Sequence, residues 1–213
     1  MKKHADSPGR FVYVVDGCRT PFLKAKDIGP FSGSDLAVAA GRNLLNRQTF
    51  SPDQLDEVII GSAMPGPDEV NIARIVALRL GCGDKVPAFT VMRNCASGMQ
   101  AIDNAALDIA AGRSDLVLAG GTEAMSHAPI LFNQKMASWL GQWSMAKGYQ
   151  QRLTTALRFR ASFLVPVVAL LRGLTDPIIG MNMGQTAEEL AYKFQVSREE
   201  MDEFAVQSHQ RLE

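Results

Sequence analysis

Short apolar runs alternate with amphipathic segments from residue 11 to residue 119, and that rhythm constrains the fold more than any other feature. Phe11-Val12-Tyr13-Val14-Val15, ended by Asp16-Gly17, reads as a strand. Val58-Ile59-Ile60 before Gly61, Ala88-Phe89-Thr90-Val91-Met92 and Leu116-Val117-Leu118-Ala119 before Gly120-Gly121 read as three more. Between them lie helix patterns. Ser34 and Asp35 are cap candidates for a helix carrying Leu36, Ala37, Ala40, Leu44 and Leu45 on one face. A second helix runs from Asn71 to Leu80, with Ile72, Ile75, Val76 and Leu80 in a stripe, and stops at Gly81. A third spans Ser97 to Gly112, with Met99, Ile102, Ala106 and Ile109 expected inward. Strands alternating with helices call for a layered α/β sheet with crossover connections.

After Glu123 the alternation stops. Residues 124–175 hold Trp139, Trp143, Met136 and Met145 without strand periodicity. Gln150 to Arg172 reads as one or two amphipathic helices interrupted at Pro166. Thr186-Ala187-Glu188-Glu189 and Ser197-Arg198-Glu199-Glu200 both match the capping box and predict helices near 187–194 and 198–212. The second puts Met201, Phe204, Ala205, Ser208 and Leu212 on one face. The expected organisation is therefore an α/β core over 1–123 and a mostly helical insertion over 124–213.

The charge distribution follows the same division. The chain of 213 residues carries 22 Lys+Arg and 22 Asp+Glu, so no strongly charged partner is implied for the whole, and nucleic-acid binding is not expected. With 46% hydrophobic residues it has the apolar content a folded core needs. Residues 1–123 sum to −1, residues 124–175 to +6 with no carboxylate at all, and residues 176–213 to −5. Such segregation marks a binding surface or a change of domain.

Three cysteines, Cys18, Cys82 and Cys95, form no metal-ligand spacing with histidine, and their odd number argues against a disulfide scaffold. A reducing, cytoplasmic location is expected. Residues 1–10 hold no apolar run of the kind a secretory signal needs. The longest apolar run, Phe163 to Leu171, is nine residues, against roughly 20 for a spanning helix.

Chemistry concentrates at Thr90-Val91-Met92-Arg93-Asn94-Cys95-Ala96-Ser97-Gly98-Met99-Gln100-Ala101, where a strand turns sharply into a helix. Cys95 sits at the junction, among the small residues Ala96, Ser97 and Gly98. A cysteine at a helix N-terminus feels the positive end of the dipole, which favours the nucleophilic thiolate. Nearby backbone N–H groups can receive an oxyanion. Placement alone leaves two readings open, an acyl-accepting nucleophile or an ordinary core thiol.

The same segments resemble the thiolase family. The resemblance rests on Arg19-Thr20-Pro21-Phe22, Asn71-Ile72-Ala73-Arg74, Val86-Pro87-Ala88-Phe89-Thr90-Val91, Asn94-Cys95-Ala96-Ser97-Gly98, Ala119-Gly120-Gly121-Thr122-Glu123-Ala124-Met125-Ser126, Met183-Gly184-Gln185-Thr186-Ala187-Glu188 and Ser197-Arg198-Glu199-Glu200-Met201-Asp202. It implies a layered α/β thiolase-like fold, here an incomplete N-terminal half with an inserted, truncated α-helical loop domain. It makes Cys95 the nucleophile that carries the acyl-thioester intermediate. Coenzyme A enters as substrate, with no permanently bound cofactor and no metal. The implied reaction is 3-ketoacyl-CoA cleavage or acetoacetyl-CoA formation. Residues 128–172, with Asn133-Gln134-Lys135-Met136, Gln151-Arg152-Leu153 and Leu164-Val165-Pro166, look like the loop of thiolase subunits in fatty-acid β-oxidation complexes. The resemblance also implies a homo-oligomer, with the strand at 88–92 near a dimer interface.

One departure stands out. The family's catalytic His, second Cys and Asn-Glu-Ala-Phe segment belong to a second half that these residues do not match. His127 and His209 read as loop or surface histidines, His4 falls in a tail, and Cys18 and Cys82 read as structural or incidental. The expectation is a chain that forms part of the enzyme and is inactive alone; the alternative is an inactive scaffold or binding subunit. A ketoacyl-synthase-like condensing enzyme is disfavoured by Gly120-Gly121-Thr122-Glu123 and Met183-Gly184. For the basic stretch three readings remain: cover over the phosphates of coenzyme A, peripheral membrane contact through 150–172, or a solvated face.

Overall fold

The computed structural model describes residues 10–25 and 27–212. The tail carrying His4, and with it most of the segment read for targeting, lies outside the described residues. The chain divides into two compact units, 1–129 and 130–213.

In the first unit the elements run α1 (Gly33–Leu45), β1 (Glu57–Gly61), α2 (Ile72–Leu80), β2 (Ala88–Val91), α3 (Ser97–Ala110) and β3 (Val117–Gly121). The three strands are parallel in the order β2-β1-β3. β1 steps to β2 in one direction with α2 on one face. β2 then crosses back over β1 to β3 with α3 on the opposite face. Reversing the step and switching faces together keeps both crossovers of one hand. Period-two alternation along β1 feeds both layers. Val58 and Ile60 join Val38, Leu45, Ile72, Ala73, Val76 and Ala77 under α1 and α2, while Ile59 packs with Ala101 and Ala105 of α3.

The helix ends follow local chemistry. α1 is capped by Ser32, ahead of the expected Ser34 and Asp35; Asp35 instead closes the box by accepting the Ser32 N–H at 2.9 Å. Its buried face is Gly33, Ser34, Val38, Gly41 and Leu45. Asn71 caps α2, and Gly81 ends it in the left-handed region at φ 86°.

Two further expectations fail in this unit. Residues 11–15 form no strand: Val14 is 88% exposed. β-propensity makes a strand only where a partner edge lies in register. Here the Arg10–Asp115 and Asp16–Arg47 ion pairs hold the two ends of the segment, and a cavity of about 410 Å³ opens between it and β3. The inward face of α3 is likewise different. Met99 is 71% exposed, and the face on the sheet is Ser97, Ala101 and Ala105. Close contact between α3 and the strand ends admits only small side chains, while Ile102, Ala106 and Ile109 line that same cavity.

In the second unit β4 (Ile130–Phe132) pairs antiparallel with β5 (Pro166–Val168), a ladder the aperiodic sequence did not announce. Three-residue strands are too short to show alternation. Between them lie α4 (Gln134–Met145), α5 (Tyr149–Leu157) and a 3₁₀ turn at Ala161–Leu164, so Pro166 begins a strand rather than interrupting a helix. Trp139 stacks on Trp143 and meets Phe159 edge-on, and its indole N–H donates to the Thr155 carbonyl at 2.7 Å. After α6 (Ala169–Gly173) come α7 (Met183–Phe194) and α8 (Arg198–Gln210). The Ser197–Glu200 capping box forms as expected, but α7 starts a turn early because Asn182 and Gln185 form the box instead of Thr186 and Glu189. The apolar face expected for α8 is exposed, Phe204 at 71%. No helix among the described residues is long and apolar enough to cross a membrane.

Candidate active site

The carboxyl ends of β1, β2 and β3 lie level: Gly61 is in register with Val91 on one side and Gly121 on the other. In parallel sheets that edge is where loops can gather functional groups. The N-terminus of α3 rests directly on it. A Cβ added at Gly61 would lie 2.2 Å from the Ser97 carbonyl carbon, and one at Gly121 would lie 2.9 Å from the Gly98 Cα. Glycine is required at these positions by the close approach of backbones. Hydrogen bonds tie the strand ends together: the Ser62 N–H donates to the Val91 carbonyl at 3.1 Å, and the Thr122 N–H to the Gly61 carbonyl at 3.0 Å.

Cys95 occupies the turn between β2 and α3, exposed. Its predecessor Asn94 adopts a left-handed conformation, φ 47°, which few residues other than Gly, Asn and Asp accept. The Ser97 hydroxyl accepts the Arg93 N–H at 2.8 Å and donates to the Asn94 carbonyl at 2.7 Å. The N-cap of α3, Ala96, has no side-chain cap bond. The positive end of the helix, one residue past Cys95, therefore carries no side-chain cap. An exposed cysteine just ahead of such an end is suited to nucleophilic attack on an electrophilic carbon, with backbone donors nearby for a developing oxyanion.

Two carboxylates brace the surrounding loops. Glu123, just past β3, accepts the Ala63 N–H at 2.7 Å, the Met64 N–H at 3.2 Å and the Ser62 hydroxyl at 3.4 Å. Glu69 accepts the Ser32 hydroxyl at 2.6 Å and the Ser34 N–H. Burial alone pushes Glu69 up, but the hydroxyls of Ser32 and Ser34 and the Ser34 amide outweigh it and hold the carboxyl below its ordinary value. Both line a cavity of about 180 Å³ that also includes Met64 and His127.

Residues 12–213 match the family described as thiolase, N-terminal domain. The chain belongs to the thiolase family. The bovine mitochondrial trifunctional enzyme subunit beta is 41% identical over 204 residues, which cover 94% of this chain and 42% of that protein. A 3-ketoacyl-CoA thiolase from Colwellia psychrerythraea is 34% identical over 212 residues, 98% of this chain and 48% of its own length. The crystal structure of human mitochondrial 3-ketoacyl-CoA thiolase in complex with CoA superposes with a TM-score of 0.73 at 33% identity, covering 92% of this chain and 45% of that one. The chain thus spans less than half the length of these relatives.

Within this thiolase chain the remaining expected residues scatter. His127 is more engaged than a surface histidine: it ends a 3₁₀ turn at Met125–His127, is half-buried, and its Nε2 lies 2.6 Å from the Gly29 carbonyl oxygen. His209 is exposed in the last turn of α8. Cys82 is buried in the core, and burial pushes its thiol pKa up. Cys18 is exposed beside Arg19, whose guanidinium lies 5.1 Å from the Phe22 ring centroid. Among the described residues no cluster of three or more His, Cys, Asp or Glu could hold a metal. Residue-level reasoning missed Ser97, Glu69 and the bracing bonds of Glu123. Only the Gly-Gly-x-Glu spacing at a strand end hinted at the last.

Proposed function

We propose that this chain carries the nucleophilic part of an acyl-CoA thiolase. The Cys95 thiolate adds to the thioester carbonyl carbon of an acyl-CoA, and the tetrahedral intermediate expels coenzyme A as its thiolate, which takes up a proton. An acyl-Cys95 thioester remains. With a 3-ketoacyl-CoA, attack falls on the 3-keto carbon instead; the C2–C3 bond breaks and acetyl-CoA leaves as its enolate, which is protonated. Free amides at the start of α3 would stabilise the oxyanion. The observation that carries this reading is the exposed Cys95 thiol at the strand–helix junction of a thiolase chain.

Among the described residues no side chain hydrogen-bonds the Cys95 thiol, so the proton acceptor must come from elsewhere. We assign that role to the His and second Cys of the family, supplied by polypeptide outside this sequence; the chain alone does not turn over. The six basic residues of the 124–175 segment, all exposed, would meet the phosphates of coenzyme A. Membership of a β-oxidation complex is favoured by similarity to trifunctional enzyme beta subunits. A homo-oligomer is favoured by the outer edge of β2, which pairs with no strand among the described residues, beside exposed Phe89 and Met92. Free thiols at Cys18, Cys82 and Cys95 suit a reducing, cytoplasmic setting.

Bromoacetyl-CoA tests the reading, because it combines an electrophilic carbon with the nucleotide. Labelling is expected on Cys95 and should slow when free coenzyme A is added. Labelling of Cys18 in preference, or no protection by coenzyme A, would contradict it. Cleavage of acetoacetyl-CoA by the chain alone would overturn the divided site.

A further inference from the structure

We propose that Ser97 is the positioning residue of the nucleophile turn, fixing Cys95 without touching its thiol. The proposal deepens the reading of Cys95 as the acyl acceptor and rests on it. Residues 92–96 are all exposed, yet Ser97 is 3% exposed, so the turn is anchored through one buried side chain. A serine that serves its own helix usually sits at the N-cap and bonds forward to free amides of the first turn. Ser97 is the first helical residue, and its hydroxyl bonds backward: it accepts from the Arg93 N–H and donates to the Asn94 carbonyl. Both partners precede Cys95, and the second belongs to the residue held at φ 47°.

The backbone doubles these bonds. The Ala96 N–H donates to the Arg93 carbonyl at 3.0 Å and the Ser97 N–H to the Asn94 carbonyl at 3.1 Å. Beneath the turn, the bare Gly61 leaves Ser97 no clearance for a Cβ, so the serine is seated hard against the end of β1. A left-handed non-glycine residue is sustained only where its surroundings over-determine it. Here one hydroxyl clamps both sides of the Arg93–Asn94 link from above, while the strand end blocks retreat from below. Removing the hydroxyl leaves Asn94 free to relax and the thiol free to leave the end of α3. Reactive side chains held to a narrow geometry depend on such supporting bonds.

The test is competitive alkylation by iodoacetamide, read by mass spectrometry at Cys18, Cys82 and Cys95 in the wild-type chain, Ser97→Ala and Ser97→Thr. In Ser97→Ala the Cys95 rate should fall about five-fold or more while Cys18 and Cys82 react as before. Ser97→Thr, which keeps the hydroxyl, should restore the Cys95 rate to within about two-fold. An unchanged Cys95 rate in Ser97→Ala, with Cys82 still protected, would overturn the proposal. Hydrogen exchange in the wild-type chain decides the matter without any variant. The Arg93 amide should be protected at least about ten-fold, and exchange at the rate of a free amide would equally overturn it. Alkylation needs no acyl-CoA, so failure of the functional reading shows separately, as bromoacetyl-CoA that spares Cys95.

Discussion

At the scale of single residues, the site depends on what is absent from Gly61. Gly61→Ala would place a methyl group inside the van der Waals radius of the Ser97 backbone, which must then shift. Urea unfolding should show a loss of about 1–3 kcal/mol or more, the usual cost of overpacking. Gly66→Ala, where an added Cβ meets nothing within 4 Å, should change stability by less than about 0.5 kcal/mol. Glu57 supplies a second prediction. Burial first, and then the nearby Asp108 carboxylate, push its carboxyl above the ordinary value. A raised carboxyl contributes stability below its unfolded pKa and loses it as pH rises through the folded one. Glu57→Gln should therefore melt higher than wild type at pH 7, and the gap should close in mild acid; a lower melting temperature at pH 7 would contradict this. Cys95 was legible because a strand, a tight turn and a helix pattern meet at one cysteine. Ser97 and Glu123 were not, because their roles are bonds to backbone groups that only the assembled strand ends bring within reach.

At the scale of elements, the contact between α1 and α2 is held by charge as well as by apolar packing. Arg79 of α2 donates to the Ser34 hydroxyl at 2.7 Å and to Asp35 at 2.6 Å. The Ser32 backbone bond, then Arg79, hold the Asp35 carboxyl below its ordinary value. A depressed carboxyl contributes stability above its unfolded pKa and loses it as pH falls through the folded one. Asp35→Asn should therefore lower the melting temperature at pH 7 and flatten its decline in acid. Ser32→Ala removes the cap and a partner of Glu69, and should cost about 1–2 kcal/mol in urea unfolding. Cap and stop signals marked four of the eight described α-helices, α1, α2, α7 and α8, and the misses are instructive. Where cap candidates lay close in sequence, the structure used the earlier one: Ser32 rather than Ser34 or Asp35 for α1, and the Asn182–Gln185 box rather than Thr186–Glu189 for α7. The run at 11–15 misled because a strand is a property of a pair, and the segment lies across a cavity from β3.

At the scale of the whole chain, zero net charge conceals a near-neutral first part, a basic stretch and an acidic end. In the proposed account the basic stretch meets the nucleotide of coenzyme A. Replacing Arg152, Arg158 and Arg160 together by Gln should weaken coenzyme A binding several-fold at low salt and leave less to lose as salt rises. Unchanged calorimetric affinity would remove that role, and co-sedimentation with anionic but not neutral vesicles would move the same arginines to a membrane surface. The central claim, that this chain supplies the acyl-accepting thiol of a thiolase, is tested most directly by incubating it with acetyl-CoA and mapping the adduct by mass spectrometry. The account predicts a thioester-linked acetyl group on Cys95, formed at least about ten-fold faster than on Cys18, which is also exposed, and absent in Cys95→Ser. Acetylation of Cys18 at the same rate or faster, or none at Cys95, would contradict it.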